Sequence, residues 1–137
     1  MAKNNQQAIN IFKRILNIKD AFNNRKLIGD VYNQLGVIAE EEYNYNEAFD
    51  WYQKSANCNY DYGTYNLAMC YVSGIGTQKD DRKAARIFSS IKYLPEASEM
   101  LNKLLEKPKE SNKQNESTVP NDFVSDVMKK ITNFFFE

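Results

Sequence analysis

Residues 65–88 read YNLAMCYVSGIGTQKDDRKAARIF, and the reading of this stretch decides the fold. Leu67, Ala68 and Tyr71 fall at helical spacing, and the run stops at Gly74-Ile75-Gly76-Thr77. A second run starts near Asp80-Asp81 and carries Ala84, Ala85 and Phe88 on one face. Two short amphipathic segments separated by glycines and then aspartates describe a helical hairpin. Gly74 is expected to end the first helix in a left-handed conformation, and Gly76 to let the chain reverse. Asp80 and Asp81 suit the start of the returning helix, where acids complement the macrodipole. A phosphate-binding loop would need a preceding strand and a following Gly-Lys-Ser/Thr, and neither is present.

Working outward, the same kind of segment recurs. Ala8, Ile11, Phe12, Ile15 and Leu16 predict a helix over 4–18. Leu27, Ile28, Val31, Tyr32, Leu35, Ile38 and Ala39 predict another over about 26–42. Ala48, Phe49, Trp51, Tyr52 and Ala56 predict a third, with Asn46 as its cap. After a turn at 57–62, helices are expected over 62–73 and 81–93. A sixth, over 96–106, follows Leu94-Pro95, since proline suits a first helical turn. Residues 108–121 are polar and rich in Ser, Asn, Lys and Glu, as expected of a flexible linker between a domain at 1–107 and a last segment at 122–137. In that last segment Phe123, Val127, Ile131, Phe134 and Phe135 form an apolar stripe, with Asp122 as its cap. Short helices, short loops and no period-2 run of β-branched residues give an all-α class of stacked antiparallel hairpins.

Composition removes whole classes of chemistry. The 137 residues hold 18 basic and 18 acidic side chains, so overall charge argues for no nucleic acid. The balance hides a local asymmetry: in 1–26, Lys3, Lys13, Arg14, Lys19, Arg25 and Lys26 stand against Asp20 alone. In 27–61, Asp30, Glu40, Glu41, Glu42, Glu47, Asp50 and Asp61 face Lys54 alone. With no histidine there is no His-based triad, general base or metal site. Cys58 and Cys70 lack the CxxC spacing of a zinc site. No run of 18 apolar residues exists, and the first residues lack the apolar core of a signal peptide. The expectation is a cytoplasmic protein with reduced thiols, no cofactor and no catalytic residues; the Glu40–Glu42 run reads as a solvated helix end.

The chain also aligns with itself. Leu35-Gly36 corresponds to Leu67-Ala68, Ala39 to Tyr71, Ala48 to Ala84, and Tyr52 to Phe88, with the GIGT segment as extra residues in the second hairpin. Small residues at 36, 68, 48 and 84 let helices approach, and the large ones fill the space beside the crossing. Leu67, Ala68, Tyr71, Gly74, Gly76, Asp80, Lys83, Ala84 and Phe88 resemble the signature of the Sel1-like repeats, relatives of the tetratricopeptide repeats. The first unit, from Leu35-Gly36 through Glu47-Ala48 to Tyr52, looks closer to the plain tetratricopeptide form. The resemblance implies a right-handed solenoid of hairpins, with 4–18 as a half-repeat or cap and 96–106 as the first helix of a third unit. The family's cysteine-rich branch would place its staple on Ala56 and Thr64, so Cys58 and Cys70 are expected to be free, with Cys70 a small buried hydrophobe.

The resemblance further implies a binding module whose first helices line a concave face. Groove positions carried over from the family fall on Asn33, Val37 and Glu40, and on Tyr65, Asn66, Met69 and Ser73. Asparagines can bond a peptide backbone and a methionine can accept apolar side chains. No lysine or arginine falls at these positions, against a receptor for acidic C-terminal tails. The expected function is a non-catalytic protein–protein adaptor that binds a peptide or helix. The alternatives are a small secretion or assembly chaperone and a regulatory subunit of an enzyme complex. For the segment 122–137 three roles stand side by side: packing back on the last hairpin or in the groove, docking on a partner or a second copy, and lying on a membrane. Lys129 and Lys130 are its only basic flank, so the membrane role is the weakest.

Overall fold

The computed structural model describes residues 3–18, 21 and 23–106. The linker and the Phe123, Val127, Ile131, Phe134 and Phe135 stripe lie outside the described residues. The described chain is helical, in six segments: α1 (Lys3–Leu16), α2 (Arg25–Glu41), α3 (Tyr45–Asn57), α4 (Asp61–Ser73), α5 (Asp81–Ser90) and α6 (Pro95–Glu106). Each packs on the next, and α2 also meets α4, so successive hairpins stack as a helical-repeat solenoid. There is no strand among the described residues.

The turns carry the stacking. Asn24 caps α2 by accepting from the Leu27 N–H at 3.0 Å, and Asp80 caps α5 by accepting from the Lys83 N–H at 3.0 Å. Gly74 closes α4 at φ 71°, with the Ile75 N–H reaching the Cys70 carbonyl at 3.0 Å. The first hairpin makes the same left-handed closure without a glycine. Tyr43 takes φ 61°, its N–H bonds Glu40 O at 3.0 Å, and the next N–H, of Asn44, bonds Ala39 O at 2.8 Å. Asn59, at φ 57°, ends α3 in the same way.

Two sequence expectations need correcting here. The N-cap position of α3 is Asn44 rather than Asn46, because this closure turns the chain sooner and leaves Asn46 inside the helix. Helix α5 ends at Ser90 rather than 93; Ile91 and Leu94 extend the apolar pattern but belong to a turn in which Leu94 N–H bonds Ile91 O at 2.9 Å.

The core follows the repeat. Ala48, Ala68 and Ala84 are completely buried, as is Phe88, with Tyr52 and Cys70 almost so. One cluster joins Ala39, Ala48, Tyr52, Leu67 and Cys70, and the next joins Ala68, Ala84, Phe88, Ile91 and Ala97. Burying a side chain the size of Phe88 contributes roughly 1.5–3 kcal/mol. Gly36 serves a ring more than a helix crossing: a Cβ there would stand 2.5 Å from Tyr52 Cε1. Side chains also tie one unit to the next. Tyr60 Oη donates to Asp30 at 3.1 Å, and Tyr93 Oη donates to Asp61 at 2.5 Å, a tether made twice at equivalent places.

Candidate functional site

The face shared by α2 and α4 holds an open cleft of about 500 Å³, lined by Val37, Glu40, Glu41, Tyr45, Tyr52, Asn66 and Ile75. Each lining element has a local cause. α2 turns Val37, Glu40 and Glu41 into the cleft near its C-terminal end, and the left-handed Tyr43 then swings the chain so that Tyr45, at the start of α3, faces the same space. Ile75 arrives from the loop after α4, where Gly74 and Gly76 both take positive φ. Gly76 lies hard against α3: a Cβ there would be 2.2 Å from the Tyr45 carbonyl oxygen.

Two polar contacts organise the cleft. Tyr52 Oη donates to Glu40 Oε2 at 2.7 Å, and Asn66 Nδ2 donates to Asn33 Oδ1 at 2.8 Å. Burial first, then the bond to Glu40 and that residue's charge, hold the Tyr52 phenol far above the usual tyrosine range. Burial and the Glu40 charge push the Cys70 thiol up to about 12. The lining carries two carboxylates and no lysine or arginine.

Among the residues expected in a groove, Val37, Glu40 and Asn66 line the cleft together. Asn33 is buried beneath it, held by Asn66. Tyr65 and Met69 pack on the second core cluster, Tyr65 edge-on to Phe88 at 5.4 Å between centroids. Ser73 is exposed at the end of α4. Tyr45, Tyr52, Glu41 and Ile75 join the lining without having been expected there. Tyr52 carried a core signal at its matched position with Phe88, and only its hydroxyl, absent from Phe88, distinguishes its second role.

A smaller cleft of about 160 Å³ lies between α1, α2 and α3, bordered by Lys13, Leu35, Glu42 and Trp51 among others. At Trp51 the ring stacks on Tyr32 at 5.7 Å, takes the Lys54 ammonium at 4.5 Å, and donates its N–H to Glu47 at 3.1 Å. The dense aromatics thus divide between core, this surface stack and exposed tyrosines such as Tyr43 and Tyr93. Cys58 and Cys70 are free thiols, and Cys70 is buried. No group of three or more acidic or cysteine side chains suited to a metal occurs among the described residues. No described helix is long and apolar enough to cross a membrane.

Stacked hairpins with a lined face between their first helices define a helical-repeat solenoid. Comparison with family models matches the Sel1 repeat at residues 29–60 and again at 61–90, so this span carries two Sel1 repeats. The first match covers most of α2 and all of α3, and the second covers α4 and α5. Both hairpins therefore belong to the Sel1 type, including the one that read as a plainer tetratricopeptide unit. No curated protein and no solved structure matches the chain. Sel1 repeats mediate protein–protein interactions and are characteristically non-catalytic.

Proposed function

We propose that this protein is a non-catalytic adaptor that holds a peptide or helix of a partner in the cleft between α2 and α4. The observation carrying this reading is the lining itself. Val37, Tyr45 and Ile75 offer apolar and aromatic surface beside Glu40, Glu41 and Asn66, which supply hydrogen-bonding and charged groups. Mixed lining of this kind suits peptide capture, with apolar contact giving affinity and a few polar groups fixing register. Tyr65 and Met69 act from behind, by fixing α4 against α5, and the Asn33–Asn66 bond keeps α2 and α4 at one separation.

Site-specific photocrosslinking tests the reading. A benzophenone side chain placed at position 45, on the cleft, should give discrete protein adducts in a cell extract. The same group at position 93, an exposed tyrosine in the α5–α6 turn, should give none of them. Adducts from position 93 with none from position 45 would move the binding face elsewhere.

A further inference from the structure

We infer that the occupant of this cleft is a basic segment, a peptide whose lysine or arginine head meets Glu40 and Glu41 while its stem lies on Tyr45 and Ile75. The inference rests on the cleft being the binding face and adds the chemistry of what it binds.

Charge is the first argument. The lining carries two carboxylates, Glu40 and Glu41, and no cation lines the cleft beside them. Lys54, the only base between residues 27 and 61, is engaged elsewhere, with its ammonium 4.5 Å from the Trp51 ring on the side that borders the other cleft. A neutral or acidic segment laid over Glu40 and Glu41 would strip water from like charges without replacing it, which weakens binding. A basic head replaces that water with charge-assisted hydrogen bonds.

Pre-organisation is the second. The Tyr52 hydroxyl fixes Glu40 through Oε2 and leaves Oε1 to a ligand. Tyr52 is itself buried and cannot swing away. Glu41 is exposed and adjusts to the head group. The neighbouring Tyr45 ring and Ile75 side chain match the long aliphatic stem of lysine or arginine, and a tyrosine face adds attraction for the cation.

The test is selection of displayed random peptides of about twelve residues against the full chain, a length that spans such a groove. Two variants on exposed side chains, Glu41→Lys and Tyr45→Ala, are carried in parallel with circular dichroism to verify folding. The expected peptides are enriched in lysine or arginine, lose about tenfold or more in affinity for Glu41→Lys, and weaken as salt shortens the screening length. Peptides that are neutral or acidic, and that lose affinity for Tyr45→Ala but not for Glu41→Lys, would overturn the basic chemistry and leave the cleft standing. Peptides indifferent to both variants would overturn the cleft as well. Failure to enrich any peptide refutes the inference, as does a wild-type dimer that Glu41→Lys converts to monomer, which would assign the cleft to a second copy.

Discussion

The two glycines of the α4–α5 loop have different physical roles, and substituting each by alanine separates them. Both take positive φ, 71° at Gly74 and 65° at Gly76. For an alanine this conformation costs about 1–2 kcal/mol, partly offset by roughly 0.4–1 kcal/mol from a stiffer unfolded chain. At Gly74 nothing more is added, since the nearest heavy atom to a new Cβ is Thr77 O at 3.5 Å. Gly74→Ala should therefore lose about 1 kcal/mol. At Gly76 the new Cβ would stand 2.2 Å from Tyr45 O and 2.7 Å from Phe49 Cβ. Backbone on one side and a helical Cβ on the other cannot yield as a side-chain tip would, so an overpacking cost of about 1–3 kcal/mol is added. Gly76→Ala should lose about 2–4 kcal/mol.

Urea unfolding at equal slope measures the difference directly. In thermal terms each kcal/mol shifts Tm by about 4–8 °C for a domain of this size, so the two variants should melt well apart. Equal losses, or a Gly76→Ala variant as stable as wild type, would show that the loop does not press on α3. The same result would remove the reason for Ile75 to face the cleft.

Other perturbations test other parts of the architecture. Tyr43 is 78% exposed and holds φ 61° with no glycine to ease it, so Tyr43→Gly should raise the unfolding free energy measured in urea by up to about 1 kcal/mol. Gly36→Ala should lose about 1–2 kcal/mol in the same assay, because a helix propensity gain of up to about 1 kcal/mol is exceeded by contact with the anchored Tyr52 ring. Asp80→Ala removes the cap on α5 and should lose about 1 kcal/mol, with Asp80→Asn nearly neutral. With a thiol reagent in native buffer, Cys58 should label first and Cys70 only on unfolding.

That same thiol gives a pH dependence. Folded Cys70 stays protonated up to about 12, whereas the unfolded thiol ionises near its ordinary value of 9.0. The unfolded chain therefore sheds the proton first, and the stability contributed by the neutral thiol is complete below pH 9 and lost as pH rises towards 12. Tyr60, pushed up to about 12 by burial and its bond to Asp30, extends the decline above pH 10. Unfolding midpoints on either side of pH 9 should fall in wild type and fall less in Cys70→Ala.

Much of the fold was readable because the repeat states it twice. Leu35 and Leu67, Ala48 and Ala84, and Tyr52 and Phe88 match in sequence, and all are buried in the structure. What escaped reading depends on contacts between elements distant in sequence. Ser55 looks like an ordinary polar helix residue, yet it is fully buried, donates to Gly29 O at 2.6 Å, and fills the space a Gly63 side chain would need. Asn33 reads as a solvated groove position, but Asn66 reaches across from the next hairpin and closes it over. The left-handed Tyr43 carries no local signal, since tyrosine has no preference for positive φ. Its closure is imposed by the packing of α2 on α3.

The two hairpins share a core but divide their labour, and the division explains why the cleft lies where it does. Phe88 fills its place in the second unit as a ring and nothing more. At the matching place in the first unit Tyr52 adds a hydroxyl, and that hydroxyl reaches back to Glu40 on α2. The core of the first unit is thereby connected to a charge on its open face. The second unit contributes through its loop instead. The GIGT segment, which the first unit lacks, is long enough to press Gly76 onto the start of α3 and bring Ile75 beside Tyr45. One repeat supplies the acidic groups, with Glu40 held by Tyr52, and the other supplies an apolar wall to set against them. A residue that breaks the internal symmetry is therefore the place to look for function in this chain. Restoring symmetry at one of them makes the point testable: Tyr52→Phe should keep the fold, with a loss of about 1–2 kcal/mol from the missing charge-assisted bond. It should also release Glu40 and weaken capture of the basic peptides selected by the wild type. A Tyr52→Phe chain that bound them with undiminished affinity would show that the hydroxyl serves stability alone.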